Sequence, residues 1–347
     1  MTPEATPTDA VVAEPTPAEI RTERDGDTAR LVLDRPRAIN ALSPQMMHTI
    51  SQTLQAWQED PSVERIELVG EGERGFCAGA DVRAIRQLVL EQPEQAVDFF
   101  TEEYQVNALI AGSAKPITSQ LHGIAMGGGL GLALHATHVV TTPDLKLAMP
   151  EVGIGLFPDV GVCWQLACAP GQTGAYLAMT GTTIDAASAL YAGMVHEILL
   201  PERFDAAPPE PRGAVSPELM DAAEGSQLAQ DRSWIDECFT GDDPAGILAR
   251  LEGHGNPRAR QCAGEIRAKS PWSVCVALEA VRRAGQLESV RQVLAQDLVL
   301  ARSFVADSDF VEGVRAQLVD KDRNPSWRHA RVEDVPRELV LGMFQER

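Results

Sequence analysis

Two carboxylates, Glu151 and Asp159, each follow a proline on backbone that reads as irregular. Upstream stand Gly127, Gly128 and Gly129, between an apolar run at 117–124 and the apolar segment LGLALHA. A glycine triplet lets the backbone come very close to a bound group. The first N–H groups of a helix have no intrahelical partner, and the helix dipole makes that end positive. The junction can therefore hold partial negative charge on an oxygen. An anion-welcoming amide beside two carboxylates points to acyl chemistry.

A second small-residue turn runs Gly75-Phe76-Cys77-Ala78-Gly79-Ala80-Asp81. Ala78 and Gly128 each lie between an expected strand and an expected helix. If those strands are neighbours, the two amides converge on one oxygen as an oxyanion hole. Losing one such donor costs about 2.7–4 kcal/mol of transition-state stabilisation. The alternative is that both glycine turns only permit close helix–sheet packing. Cys77 has no base beside it in sequence and reads as inert packing. His122, His135 and His138 read as structural.

The elements around these turns follow from periodicity. A strand at 29–33 closes a hairpin over Asp25-Gly26. Ser43 followed by Pro44 caps a helix to about 59, with apolar residues near a 3.6 spacing. Another strand spans 63–69. Asp81 is placed to cap a helix through 90, and a longer helix covers 93–110. Phe99, Phe100 and Tyr104 on that helix read as core packing, while the adjacent Glu102 and Glu103 cannot face the same way. A strand pair is expected at 138–142 and 145–149, a helix over 161–179, a helix capped by Asp185, and a last strand at 194–200. Strands alternating with helices predict an α/β fold with a largely parallel sheet. Residues 1–18 read as a disordered tail, 19–200 as the core, 201–230 as a connector or insertion, and 231–347 as a C-terminal helical region.

The totals exclude several classes. The 347 residues carry 30 Lys plus Arg against 50 Asp plus Glu, a formal charge of −20. That field repels nucleic acid and anionic membrane. No apolar run approaches the ~20 residues of a membrane span. The six cysteines lack metal-site spacing and read as reduced thiols. Glu4, Asp9 and Glu14 precede the first basic residue, Arg21, unlike a mitochondrial presequence. A cytoplasmic protein is the expectation.

The combination of FCAGAD, HGIAMGGG, AMPE and GLFPDVG resembles the crotonase, or enoyl-CoA hydratase/isomerase, superfamily. FFTEEY and the C-terminal EGVRAQLVDKDRNPSW bring the likeness nearest to its 3-hydroxyisobutyryl-CoA hydrolase branch. The resemblance implies a crotonase-like ββα spiral core with a C-terminal helical region. It implies an acyl-CoA substrate, with coenzyme A entering as part of it, no metal or redox cofactor, and an oligomeric state left open, since members commonly form trimers and hexamers. Carried over, Ala78 and Gly128 are the oxyanion amides, Glu151 the principal catalytic carboxylate, and Asp159 the second acid of the hydrolase branch. Glu103 contacts substrate, Arg37 and Ala38 lie in the loop meeting the adenine end of coenzyme A, and Ala78, Gly79, Ala80 and Asp81 line the pantetheine channel. Arg35, Arg37 and Lys115 are candidates for its phosphates, with a solvated surface role as the alternative.

One departure separates branches. Hydratases resembling this chain carry a glutamate two residues after the glycine triplet, where this chain has Gly131. The implied reaction is thioester hydrolysis releasing free coenzyme A, in valine catabolism. Glu151 acts as nucleophile or as base for a water, and Asp159 positions the substrate hydroxyl or handles the leaving thiolate's proton. The alternatives are an enoyl-CoA hydratase/isomerase on a fatty or branched acyl-CoA, and a non-catalytic scaffold on the same frame.

Overall fold

The computed structural model describes residues 19–200, 204 and 217–345. The expected tail at 1–18 and most of the 201–216 stretch lie outside them. Six strands form the main sheet in the order β1 (Ile20–Asp25), β2 (Thr28–Leu33), β3 (Arg65–Gly70), β4 (Ile117–Leu121), β6 (His138–Thr141) and β8 (Glu197–Ile198). β1 and β2 are antiparallel, joined through Gly26 at φ +58°, and every later pairing is parallel. Crossovers place α1 (Pro44–Glu59) between β2 and β3, and α2 (Val82–Glu91) and α3 (Pro93–Ala111) between β3 and β4. Ser43 Oγ accepts from Met46 N–H at the start of α1, and Asp81 accepts from Ala84 N–H at the start of α2. Both caps stand where the sequence places them.

The apolar run 117–124 divides at His122-Gly123, with Gly123 at φ +49°. There the chain leaves the main sheet and enters a small parallel pair, β5 (Ile124–Met126) with β7 (Lys146–Ala148). The expected strand pair at 138–142 and 145–149 is therefore split: β6 pairs with β4, β7 with β5. The expected helix over 161–179 breaks at Ala169-Pro170 into α5 (Cys163–Cys168) and α6 (Thr173–Thr180), because proline lacks the N–H that would continue it. Between β5 and β6 stands α4 (Gly128–Ala133), and α7 (Ala186–Tyr191) begins on its Asp185 cap.

Beyond residue 216 the described chain is mostly helical. α8 (Pro217–Glu224) and the start of α9 (Gln227–Cys238) occupy a stretch read as connector, and α10 (Pro244–Gly253), α11 (Pro257–Arg267), α12 (Pro271–Ala284) and α13 (Val290–Val305) follow near the expected bounds. α14 (Ser308–Val314) and α15 (Arg337–Gly342) complete the set. The helical part does not stand apart. One continuous apolar core runs from Leu31 and Met47 through Phe157 to Phe304 and Phe310.

Candidate active site

Strand pairing sets the site. The segment after Gly75 runs alongside β5: Cys77 N–H donates to Ile124 O (3.1 Å) and Met126 N–H to Cys77 O (2.9 Å). This parallel register matches Cys77 to Ala125. Three residues on, it brings Ala80 level with Gly128. A Cβ at Gly79, whose φ is +97°, would stand 3.0 Å from Met126 O and 3.4 Å from Gly128 N. A Cβ at Gly128 would stand 3.3 Å from Ala80 N. The two turns touch through backbone, which is why glycine occupies them.

The same register corrects the expected hole. Ala78 N–H donates to Ile39 O at 2.8 Å and is not available to a ligand. Among the described residues no acceptor meets Ala80 N–H or Gly128 N–H. The free amide pair is Ala80 with Gly128. Ala80 is held by its bridge to Leu42, through Leu42 N–H to Gly79 O and Asp81 N–H to Leu42 O, both 2.8 Å.

Three carboxyls surround that pair in a cleft of about 230 Å³. Glu103 comes from α3, Glu151 opens the 3-10 turn Glu151–Ile154, and Asp159 lies in the following loop; they are 1%, 6% and 4% exposed. A Cβ at Gly127 would lie 2.8 Å from Glu151 Oε1, and one at Gly128 would overlap Glu103 Oε1. Tyr104 O–H donates to Asp159 Oδ2 at 2.7 Å. Glu103 Oε1 and Glu151 Oε2 are buried without a partner among the described residues. Apolar walls come from Phe100, Ile85 and Leu156, and from Phe310 and Leu318 of the C-terminal region.

Such crowding separates the acids. Burial, then the charges of Asp159 and Glu151, hold the Glu103 carboxyl well above its ordinary range. Burial, then Asp159, does the same to Glu151. Burial raises Asp159 only to about 6, because the Tyr104 hydrogen bond favours its ionised form. Of the three, Asp159 is the one whose ionised form a Tyr104 O–H hydrogen bond favours. Cys77 is driven up to about 12 by burial and carries no thiolate.

The remaining expected residues divide. Gly79 and Ala80 line the cleft. Asp81 caps α2 and pairs with Arg35 at 3.0 Å, and Arg35 also meets Glu19 at 3.2 Å. Lys115 Nζ donates to the Trp57 and Asp60 carbonyls at the end of α1. Arg35 and Lys115 are thereby engaged in the fold, both half-buried. Arg37 is exposed and Ala38 half-buried in the 3-10 turn Pro36–Ala38. Glu102 turns outward to His48 (2.9 Å) while Glu103 turns inward, as adjacency on a helix requires. His122 donates from Nε2 to Gly72 O (2.7 Å), outside the cleft.

Sequence reasoning passes over Tyr104 as packing, and does not single out Asn107 or Asp297. Both of the latter are fully buried. A signal is present: Asn107 sits three residues from Tyr104 and three from Ile110, and Asp297 sits four from Val293 and from Ala301. Each is a polar residue inside an apolar helical stripe, where burial without function is costly.

Comparison with known proteins agrees with this frame. The enoyl-CoA hydratase/isomerase family profile matches residues 28–344. Rat mitochondrial 3-hydroxyisobutyryl-CoA hydrolase is 34% identical over 94% of this chain and 89% of its own length. Arabidopsis thaliana 3-hydroxyisobutyryl-CoA hydrolase 1 is 33% identical over 94% of this chain and 92% of its own. Among solved structures, one titled a carnitinyl-CoA dehydratase from Mycobacterium thermoresistibile is 38% identical, with TM-score 0.86 over 95% of this chain and 97% of that one. An enoyl-CoA hydratase from Rhodobacter sphaeroides is 33% identical, with TM-score 0.86 over 94% and 97%. With the crotonase-type fold, the paired glycine turns and matches along nearly its whole length, the chain belongs to the enoyl-CoA hydratase/isomerase family of enzymes.

Proposed function

We propose that the protein hydrolyses the thioester of a 3-hydroxyacyl-CoA, with the 3-hydroxyisobutyryl group of valine breakdown as the preferred acyl chain. The observation that carries this reading is the position of the second carboxylate. At Gly131, where a hydratase-type glutamate would stand, a Cβ would lie 2.6 Å from Val160 Cβ and 2.8 Å from Asn107 Nδ2. Both neighbours are fully buried. No carboxylate fits there, and Asp159 supplies the second acid from another side of the cleft. The names of the hydrolase relatives support the same choice.

The chemistry follows from the charge the pocket tolerates. The thioester oxygen docks on Ala80 N–H and Gly128 N–H. Asp159 holds the first negative charge and can accept a proton from Glu151 as substrate excludes water. The Glu151 carboxylate then attacks the carbonyl carbon, giving an anhydride that water cleaves, or takes the proton of an attacking water. In either route the carbon–sulfur bond breaks and the proton stored on Asp159 goes to the coenzyme A thiolate. Electrostatic stabilisation by fixed amides supplies the largest share of the rate in such sites.

The names of the two solved relatives favour a second reading, addition or removal of water on the acyl chain. Thiol release from 3-hydroxyisobutyryl-CoA, measured beside loss of crotonyl-CoA absorbance, separates the two. Rapid thiol release without loss of the enoyl chromophore is the expected result. Chromophore loss without thiol release would overturn the hydrolase reading.

Tyr104→Phe tests the role of Asp159. Removing the hydrogen bond that favours the carboxylate raises its pKa above about 6. The acid limb of kcat/KM should move up by roughly one pH unit, with turnover above the limb close to that of the parent. An unmoved limb would mean that another group sets it.

A further inference from the structure

Asp159 is followed by Val160 at φ +52° and Gly161 at φ +76°. Val162 N–H closes the turn onto Asp159 O at 3.1 Å. Left-handed backbone at both central residues is the pattern of a type I′ turn, and a β-branched residue there is a genuine outlier. Such a conformation persists only where the surroundings over-determine it.

Two buried side chains do so. His135, at the end of α4, donates from Nε2 to Val160 O at 2.7 Å; its Nδ1 accepts from Gln165 Nε2 at 3.2 Å, which fixes the tautomer. Burial pushes the His135 pKa down to about 4, so the ring stays neutral. Gly161 N–H donates to Asp297 Oδ2 at 2.7 Å, and Asp297 belongs to α13, more than a hundred residues along the chain. A Cβ at Gly161 would lie 2.9 Å from His135 Nε2 and 3.0 Å from Leu294 Cδ2, so the turn is packed against both clamps. Asp297 is fully buried and its Oδ1 has no partner among the described residues. A carboxyl placed there at that desolvation cost is retained for what its other oxygen holds.

We propose that Asp297 and His135 are positioning residues, which hold the Val160–Gly161 turn in its left-handed form and thereby aim the Asp159 carboxyl into the cleft. This rests on the reading of Asp159 as a working acid. It also gives the C-terminal helical region a part in the chemistry: α13 carries the residue that fixes a loop of the core.

The test compares Asp297→Asn, whose amide oxygen can still accept from Gly161 N–H, with Asp297→Leu, which cannot. Asn should keep kcat within about threefold. Leu should lower kcat at least tenfold, with KM for the acyl-CoA and affinity for free coenzyme A within about threefold, assayed below its unfolding temperature. Amide exchange of residues 159–163 reads the clamp without activity: it should accelerate in the Leu variant and not in the Asn variant. His135→Gln, whose side-chain N–H can still reach Val160 O, should fall between them. Equal losses for Asn and Leu, or unchanged exchange in Leu, would overturn the clamp. If exchange behaves as expected but Asp159→Asn retains full thiol release, the clamp stands and the hydrolase role of Asp159 falls.

Discussion

Glu151→Gln is expected to lower thiol release by about 10²- to 10⁴-fold, the range for loss of a group that moves protons or attacks in the transition state. Coenzyme A affinity should change little, since the substituted atom lies within the cleft beside Gly127 and glutamine preserves its shape. Glutamine keeps the shape and volume of a side chain only 6% exposed, so the loss reads the chemistry and not a cavity. The same substitution is expected to stabilise the fold, and the sign can be worked out. The folded pKa of Glu151 lies above its ordinary value of 4.5. A carboxyl raised in this way stabilises fully when protonated, below the unfolded value, and that contribution is lost as pH rises toward the folded value. Glutamine is neutral throughout, so its advantage opens above about pH 4.5. For Asp159→Asn the window runs from 3.8 to about 6, and the gain at neutral pH is on the order of 3 kcal/mol at most. Thermal unfolding across pH 4–8 should therefore show both variants rising relative to the parent as activity disappears. Turnover of Glu151→Gln within tenfold of the parent would remove Glu151 from the mechanism.

That trade of stability for reactivity explains what the sequence could and could not disclose. Glu151, Asp159 and Gly128 are legible because loop chemistry forces residue types: glycine where backbone meets backbone, acids on irregular segments after proline; Glu103, on helix α3, and Gly79 and Ala80 are singled out only by the family resemblance. They all face one cleft. The amide donor is misassigned from sequence because Ala78 and Ala80 belong to the same turn, and only the Cys77–Ala125 register decides which of them reaches Gly128. Register is a property of two strands, so one strand's sequence cannot carry it. The division of 117–124 between two sheets is hidden for the same reason. His135 looks ordinary because its partner is a carbonyl, which has no side-chain signature. Arg35 and Lys115 look available for phosphate because a free cation and one bound to carbonyls or to Asp81 are identical on paper. Asp297 is the readable omission: apolar residues at helical spacing on either side of it, Val293 and Ala301, are enough to mark it as buried.

Gly128→Ala puts the arrangement of the oxygen site under the sharpest strain, and kcat/KM is expected to fall by about 10²- to 10³-fold, as for loss of an oxyanion donor. The added methyl would overlap Glu103 Oε1 and stand 3.3 Å from Ala80 N. Glu103 is 1% exposed on a packed helix, so its carboxyl has the cleft itself as its way out. The methyl and the displaced carboxyl then share the space the thioester oxygen needs. Folding should suffer far less. Gly128 has no left-handed φ to protect and sits at the first position of α4, where alanine is the better helix former by about 0.5–1 kcal/mol. A Tm within a few degrees of the parent, beside the loss of turnover, is the expected pair of results. Adding Glu103→Ala removes the overlapped oxygen but leaves the methyl against Ala80 N. If the double variant stays slower than Glu103→Ala alone, the blocked amides are the cause. If it matches Glu103→Ala, the damage lay in the displaced carboxyl and not in the amide pair.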